Sequence, residues 1–278
     1  MTLAGKTMIM SGGSRGIGLE IAKRAAADGA NVTLIAKTDQ PHPKLPGTIH
    51  TAAAELEAAG AQVLPFVGDI RNDDAVAEAV RQTVERFGGI DLVVNNASAI
   101  DLSPTEHIAM KKYDLMLDIN CRGSFLLSKL SIPALKESAA AGRNPHILTL
   151  SPPINLNPKW AGGSLAYTIA KYGMSLTTMG LAEELKQYGV AVNSLWPRTT
   201  IATAAVQNIL GGDDMVKNSR TPDIYADAAY VVLTAPTTTT GNFFIDDEVL
   251  AAQGVTDLDK YRVTPGNDEL QLDLFLDA

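Results

Sequence analysis

Lys6-Thr-Met-Ile-Met10 runs directly into Ser11-Gly12-Gly13-Ser14-Arg15-Gly16-Ile17-Gly18. The first five residues read as a buried strand. The stretch from about Gly16 to Asp28, closed by Gly29, reads as a helix. Glycines between the two let the backbone turn sharply and approach a pyrophosphate, whose charge the helix N-terminus favours. A glycine pattern alone is weak, and this one gains weight from the readable strand before it and helix after it. A tight strand-to-helix turn that binds nothing is the competing reading.

The same rhythm continues outward. Asn31–Ala36, Val63–Val67, Leu92–Asn95, His146–Leu150, Val190–Leu195 and Asn242–Ile245 are further short apolar strand candidates. Helical periodicity falls near 49–59, 73–87, 105–139, 164–187 and 223–234. Continuously apolar strands suit a parallel sheet covered on both faces. The order predicts an α/β, Rossmann-type doubly wound sheet of seven parallel strands with helices on both faces. Residues 1–278 carry no linker or shift of composition and read as one dinucleotide-binding catalytic domain. A segment at about 199–221 and a tail at about 250–278 fall outside the rhythm.

The end of the second strand bears on cofactor choice. An NAD site places Asp or Glu there for the ribose hydroxyl. Here the chain reads Ala36-Lys37-Thr38, and Arg15 sits in the glycine turn. Two cations and no carboxylate favour a 2′-phosphate, hence NADP(H) over NAD(H). The bland alternative is a solvated loop lysine. Asp39 lies past the expected position. The proline-rich loop Thr38–Gly47 is expected either to close over the adenosine phosphate or to be surface packing.

Tyr167 and Lys171 stand four residues apart in a helical stretch and therefore share a face. Lowering a phenol from about 10 to about 7 takes roughly 4 kcal/mol, which a cation about 4 Å away supplies. A lone Tyr-x-x-x-Lys is more often a solvated surface pair, so the other motifs must support it.

The bulk numbers restrict the alternatives. The chain has 278 residues, 46% hydrophobic and 19% charged, with net charge −8. That acidity offers nothing to nucleic acid. No apolar run reaches the roughly 20 residues of a membrane span. Cys121 is the only cysteine, so neither an internal disulfide nor a zinc cluster is expected, and a role as a small buried hydrophobe is favoured over redox work. His42, His50, His107 and His146 show no ligand spacing, and no metal site is expected; Asp73-Asp74 reads as a helix start and Asp246-Asp247-Glu248 as a turn. No signal peptide is visible, the last five residues match no peroxisomal or retention signal, and a reducing, cytoplasmic setting is expected.

Taken together these motifs resemble the short-chain dehydrogenase/reductases. Gly12-x-x-x-Gly16-x-Gly18 matches that family's cofactor turn, and Asp69 in Gly68-Asp69-Ile70 its adenine-contacting acid. Asn95-Asn96-Ala97-Ser98 matches Asn-Asn-Ala-Gly with Ser for Gly. Asn120 matches the catalytic asparagine, and Tyr167 with Lys171 the catalytic pair. The match runs to about residue 250. A narrower likeness, in Ser151–Pro158 and Thr240–Asp246 among others, points to the hydroxysteroid dehydrogenase-like branch. Animal members of that branch carry a sterol-carrier domain and a peroxisomal address, and neither is expected here.

Two departures stand out. Thirteen residues before Tyr167, where the family keeps a serine, stands Ile154. Ser151 then reaches the substrate through the Pro152-Pro153 turn, or Ser164 substitutes, or no serine takes part; Ser151 is favoured. The family's Pro-Gly after the sixth strand reads Pro197-Arg198, and arginine adopts glycine's conformations only at a cost.

The resemblance implies hydride transfer between nicotinamide and a carbonyl or alcohol carbon. Tyr167 would be general acid/base, Lys171 would lower its pKa and hold the ribose, Asn120 would steady a relay water, and Ser151 would polarise the substrate oxygen. Cofactor contacts are expected from Gly12, Ser14, Arg15, Gly16, Ile17, Gly18, Lys37, Asp69, Ile70, Asn96, Ala97, Ser98, Tyr167, Lys171, Pro197, Thr199 and Thr200. Thr199–Arg220 and Ile154–Gly163 are expected to shape an apolar substrate pocket, with Trp160 and Trp196 lining it or packing the core. A homodimer or homotetramer through the helices near 105–139 and 164–187 is implied. Competing functions are an enoyl-type reductase and a cofactor-binding sensor or scaffold without turnover.

Overall fold

The computed structural model describes residues 1–41 and 46–277. Residues 42–45, with His42 and the expected closure of the proline-rich loop, lie outside the described residues. Seven parallel strands form one sheet: β1 Thr7–Ser11, β2 Asn31–Ala36, β3 Val63–Val67, β4 Leu92–Asn95, β5 His146–Thr149, β6 Ala191–Trp196 and β7 Phe243–Ile245. Their order is β3-β2-β1-β4-β5-β6-β7. The expected doubly wound sheet is what forms. The order reverses at β1, which pairs with both β2 and β4, and such a switch point opens a ligand crevice at the strands' C-terminal ends. Pro65 is tolerated because β3 is an edge strand.

Strand alternation divides the core. Met8, Met10, Leu34, Val94 and Leu148 face one side of the sheet, and Ile9, Ile35, Val93, Ile147 and Val192 the other. The flanking helices are α1 Gly16–Ala26, α2 Ile49–Ala58, α3 Asp73–Phe87, α4 Met110–Met116, α5 Gly123–Ala140, α6 Pro158–Gly163, α7 Leu165–Leu185, α8 Gly212–Lys217, α9 Pro222–Thr234 and α10 Asp246–Ala252. The single helix expected over 105–139 begins only at Met110, and a π-turn at Leu117–Arg122 separates α4 from α5. Asp73 and Asp74 occupy the first turn of α3, as expected from the macrodipole. Asp246-Asp247-Glu248 is not a turn: it opens α10.

A third apolar cluster was not anticipated. Phe275 and Leu276, from the tail, pack with Tyr167, Ala170, Trp196 and Ile245. A turn at Leu274–Phe275 carries the Phe275 and Leu276 side chains inward, while Leu272 stays exposed. Among the described residues no helix is long and apolar enough to cross a membrane, and no group of three ligating side chains forms a metal site.

Candidate active site

β1 delivers the glycine turn to the crevice. Gly12 has φ +76, and a Cβ there would meet the Ala97 Cα at 2.8 Å. A side chain is therefore excluded both by conformation and by the chain leaving β4. Asn96 ties the two together by donating to the Ser11 and Gly12 carbonyls at 3.0 and 2.8 Å. Gly18 packs against the same amide, where a Cβ would stand 2.4 Å from Asn96 Nδ2. Gly18 thus serves packing and does not line the cavity. The first turn of α1 holds no acid, and Arg15 at its N-cap makes no side-chain cap, so the amides there remain free for an anion.

A cavity of about 1010 Å³ opens from this turn. Gly12, Ser14, Arg15, Gly16, Ile17, Lys37, Asp69, Ile70, Asn96, Ala97 and Ser98 line one part, and Tyr167, Lys171, Trp196 and Pro197 another. The free amides, the close-packed glycines and the volume fit a dinucleotide with room beyond it for a substrate. Lys37 Nζ lies 3.5 Å from Asp69, which Arg71 also grips. Those cations hold the Asp69 carboxyl at about 2, with the Arg71 hydrogen bond the largest cause. Arg15 donates to the Pro46 and Gly47 carbonyls at 3.0 and 3.1 Å. Asp39 is turned to His50 at 2.6 Å and stays out of the cavity.

α7 carries Tyr167 and Lys171 into the site, both buried. Lys171 Nζ donates to the Leu150 carbonyl at 2.6 Å and lies 4.9 Å from the centre of the Trp196 ring. Burial lowers the Lys171 pKa while Asp273 opposes that fall. Burial pushes the Tyr167 phenol well above its ordinary value and Asp273 adds to it; only the Ser98 side chain favours the phenolate. The expected lowering of Tyr167 by Lys171 does not appear: burial sets the direction of the shift.

Several expected residues stand elsewhere. Ser151 is fully buried, its hydroxyl 2.8 Å from that of Ser194, which donates onward to Thr178. It does not line the cavity; its hydroxyl is taken up in the interior by Ser194. Ser164 is buried at the start of α7, where its carbonyl accepts from Thr168, and is also outside the cavity. Asn120 is fully buried in the π-turn and holds both backbone groups of Ala99, at 2.7 and 2.9 Å. It positions the Ser98–Ala99 segment and does not reach the cavity. Thr199 and Thr200 are buried away from the cavity, with Thr200 on the Ser219 hydroxyl; Ile201, Ala202 and Thr203 line it instead. The 199–221 segment does shape the cavity, through Ile201–Leu210 and Val216. Ile154–Gly163 does not. Trp196 lines the cavity, whereas Trp160 packs on Phe275.

Arg198 explains its own departure. Its φ is not positive, its amide donates to Asp246, and its guanidinium pairs with Asp247 and Glu248 on α10. Its carbonyl accepts from the Asp273 amide at 3.0 Å, so it docks the tail. Asp273 lines the cavity and was missed by sequence reasoning. Its only signal was the apolar alternation of the tail around it. Cys121 is half-buried and its thiol is pushed up by burial, so no thiolate is favoured. His146 is buried, bonded to the Ala235 carbonyl, and lowered to about 4 by desolvation, a neutral structural imidazole.

Comparison with known proteins agrees with this geometry. The short chain dehydrogenase family profile matches residues 6–212. Hydroxysteroid dehydrogenase-like protein 2 of Danio rerio is 55% identical over 276 residues, covering 99% of this chain and 65% of that protein. The chain thus spans about 65% of the length of that curated relative. A short chain dehydrogenase from Mycobacterium thermoresistibile superposes with TM-score 0.93 at 60% identity, covering 100% of this chain and 97% of that one. A putative dehydrogenase from Xanthomonas campestris gives 0.95 at 53%, with both chains covered completely. More distant structures include an NADH-dependent reductase complexed with NAD, at 25% identity, and a metagenomic oxidoreductase with NADP, at 26%. The fold, the glycine turn and these relatives place the chain in the short-chain dehydrogenase/reductase family of nicotinamide-dependent oxidoreductases, in its hydroxysteroid dehydrogenase-like branch.

Proposed function

We propose that the chain moves hydride between NADP(H) and the carbonyl or alcohol carbon of an apolar small molecule. The observation that carries this is the placement of Tyr167 and Lys171 on the cavity that begins at the Gly12–Gly18 turn. A bound nicotinamide supplies the hydride at its ring carbon. The amides opening α1 bind phosphate, and Asp69 and Ile70 line the adenine end. Tyr167 acts on the substrate oxygen; buried and protonated, it is set to donate a proton in carbonyl reduction. Lys171 binds the adjoining ribose hydroxyls. Ile100, Met116, Val206 and Ile209 give the substrate end its apolar walls.

Ser98 takes over the task expected of Ser151. It lines the cavity and its side chain faces the phenol. Ser98→Ala is expected to slow carbonyl reduction at least about tenfold, since a hydrogen bond to an oxygen gaining charge contributes roughly 1.5–3 kcal/mol. Ser151→Ala is expected to cost about 1 kcal/mol of stability through the lost Ser194 bond and to leave kcat unchanged. Steady-state kinetics and thermal melts on both variants decide the matter, and the reverse pattern sinks the assignment.

NADP(H) is favoured because Lys37 and Arg15 line the cavity where β2 ends, while Asp39, the nearest acid, is engaged by His50. Titration with NADPH and NADH, then a carbonyl panel followed at the reduced-nicotinamide band, tests the whole reading. Lys37→Ala is expected to weaken NADPH by about 10- to 100-fold, the span of a charge-assisted contact, and NADH hardly at all. Equal losses for both would refute the phosphate contact.

The withdrawal of Ser151 favours one second reading, reduction of a conjugated C=C bond, which makes less use of a serine. Product analysis with an enal separates the two: an allylic alcohol for carbonyl reduction, a saturated aldehyde for the alternative. Assembly as a homodimer or homotetramer is supported by Ile169, Leu176 and Met179 on α7 and Phe125 on α5, all large, apolar and exposed.

A further inference from the structure

The Thr199–Arg220 segment leaves the end of β6 and returns as two stems. The Ala202 amide donates to the Arg220 carbonyl at 2.8 Å, and the Arg220 amide to the Thr200 carbonyl at 3.0 Å. Between the stems, Ile201–Leu210 and Val216 line the cavity. The C-terminal tail is bonded to both stems. On the first, the Thr200 amide donates to the Gln271 carbonyl at 2.9 Å and the Asp273 amide to the Arg198 carbonyl at 3.0 Å, an antiparallel pairing about Thr199 and Leu272. On the second, the Gln271 amide donates to the Asn218 carbonyl at 2.9 Å and the Val263 amide to the Ser219 carbonyl at 3.1 Å.

The next residues of the tail are anchored beside the catalytic pair. The Leu274 carbonyl accepts from Trp196 Nε1 at 2.9 Å, and the Phe275 carbonyl from Asn155 Nδ2 at 3.0 Å. The Phe275 ring is buried among those of Trp160, Tyr167, Tyr172 and Trp196, with centroids 5.3 to 6.0 Å away. Between the two anchorages Asp273 and Leu274 line the cavity. Among the described residues no hydrogen bond from the tail reaches the glycine turn, β2 or Asp69, so the tail grips the substrate end alone. A loop whose stems are bonded to a third segment opens only by breaking those bonds or by carrying that segment with it. The burial of Phe275 opposes the second course.

We propose that the C-terminal tail determines substrate specificity: it fastens both stems of the Thr199–Arg220 loop and sets Leu274 into the wall of the substrate end. The consequence for turnover rests on the redox reading, whereas the fastening does not. Leu274 touches the substrate. Gln271 and Phe275 are positioning residues, which act through the loop.

Hydrogen exchange on the full chain, followed by mass spectrometry, tests the fastening. Phe275→Ala empties the ring cluster, and Gln271→Pro removes the amide bonded to Asn218. In each, exchange is expected to quicken about tenfold or more in both stems as well as in the tail, while β1 and β4 keep native rates. Stems at native rates in both variants overturn the proposal. Ketone kinetics with NADPH test the wall. Leu274→Ala is expected to raise the kcat/KM of cyclohexyl methyl ketone relative to butanone by about tenfold or more, Leu274→Trp to lower it as much, and NADPH affinity to change less than about twofold in either. A ratio unmoved in both, or a matching loss of NADPH affinity, overturns the specificity role. If the native chain reduces no ketone, the redox reading fails while the exchange still decides whether the tail holds the loop.

Discussion

Tyr167→Phe is expected to cut NADPH-dependent carbonyl reduction by about 10³-fold while changing NADPH affinity less than about twofold. Positioned acid/base groups contribute roughly 10²–10⁴-fold, and a factor of 10³ corresponds to about 4 kcal/mol of barrier. The substitution is clean because the ring keeps its packing against Phe275, and only the hydroxyl is lost. Single-turnover kinetics on the best substrate of the panel, with calorimetric titration of NADPH, reads both quantities. Activity above a tenth of native would remove Tyr167 from the mechanism. The pH dependence carries a further sign. Burial raises the phenol's pKa, so at neutral pH Tyr167 is protonated. Reduction needs that proton and is expected to be flat through neutrality. Alcohol oxidation needs the phenolate and is expected to rise with pH.

Gly12→Ala is expected to weaken NADPH binding by about 30-fold or more, roughly 2 kcal/mol, and to lower the melting temperature as well. A left-handed backbone costs a side chain about 1–2 kcal/mol. The new Cβ would also meet the Ala97 Cα at 2.8 Å and the Ala97 N at 3.0 Å. Both are backbone atoms, so the segment carrying Asn96, Ala97 and Ser98 must move, and it lines the cofactor cavity. Gly5→Ala is the control. Gly5 has φ +64 but nothing within 4 Å of its Cβ position, so it takes the conformational cost without the collision. Equal NADPH affinities in the two variants would show that the Ala97 contact does not shape the site.

Much of this protein was legible in its residues. The glycine turn between a continuous apolar run and an amphipathic helix specified the first β-α unit, and its repetition specified the sheet. Such elements depend on local periodicity, which a linear chain displays. Tyr167 and Lys171 were legible for the same reason, since a helix converts a spacing of four into a shared face. The serine was not legible. Ser98 and Ser151 follow the neighbouring strands β4 and β5; Ser151 is bonded inward to Ser194, while Ser98 lines the cavity on the segment that Asn120 holds through Ala99. Thr199 and Thr200 failed similarly: the loop after β6 turns them inward and presents Ile201 to Thr203.

What the sequence by itself determined was the alternation of the seven strands with the main helices, the glycine turn after the first strand, and the shared helix face of Tyr167 and Lys171, all features whose partners are close in the chain. What the tertiary structure decided was the company these residues keep. Arg198 became an anchor only when Asp247 and Glu248, about 50 positions later, reached it. Asp273 entered the centre only because the tail returns across Arg198, Trp196 and Tyr167, roughly 75 to 106 positions back. Contacts across such separations are set by how whole layers pack, and burial in those layers then sets the ionisation of Lys171, Tyr167 and Asp273.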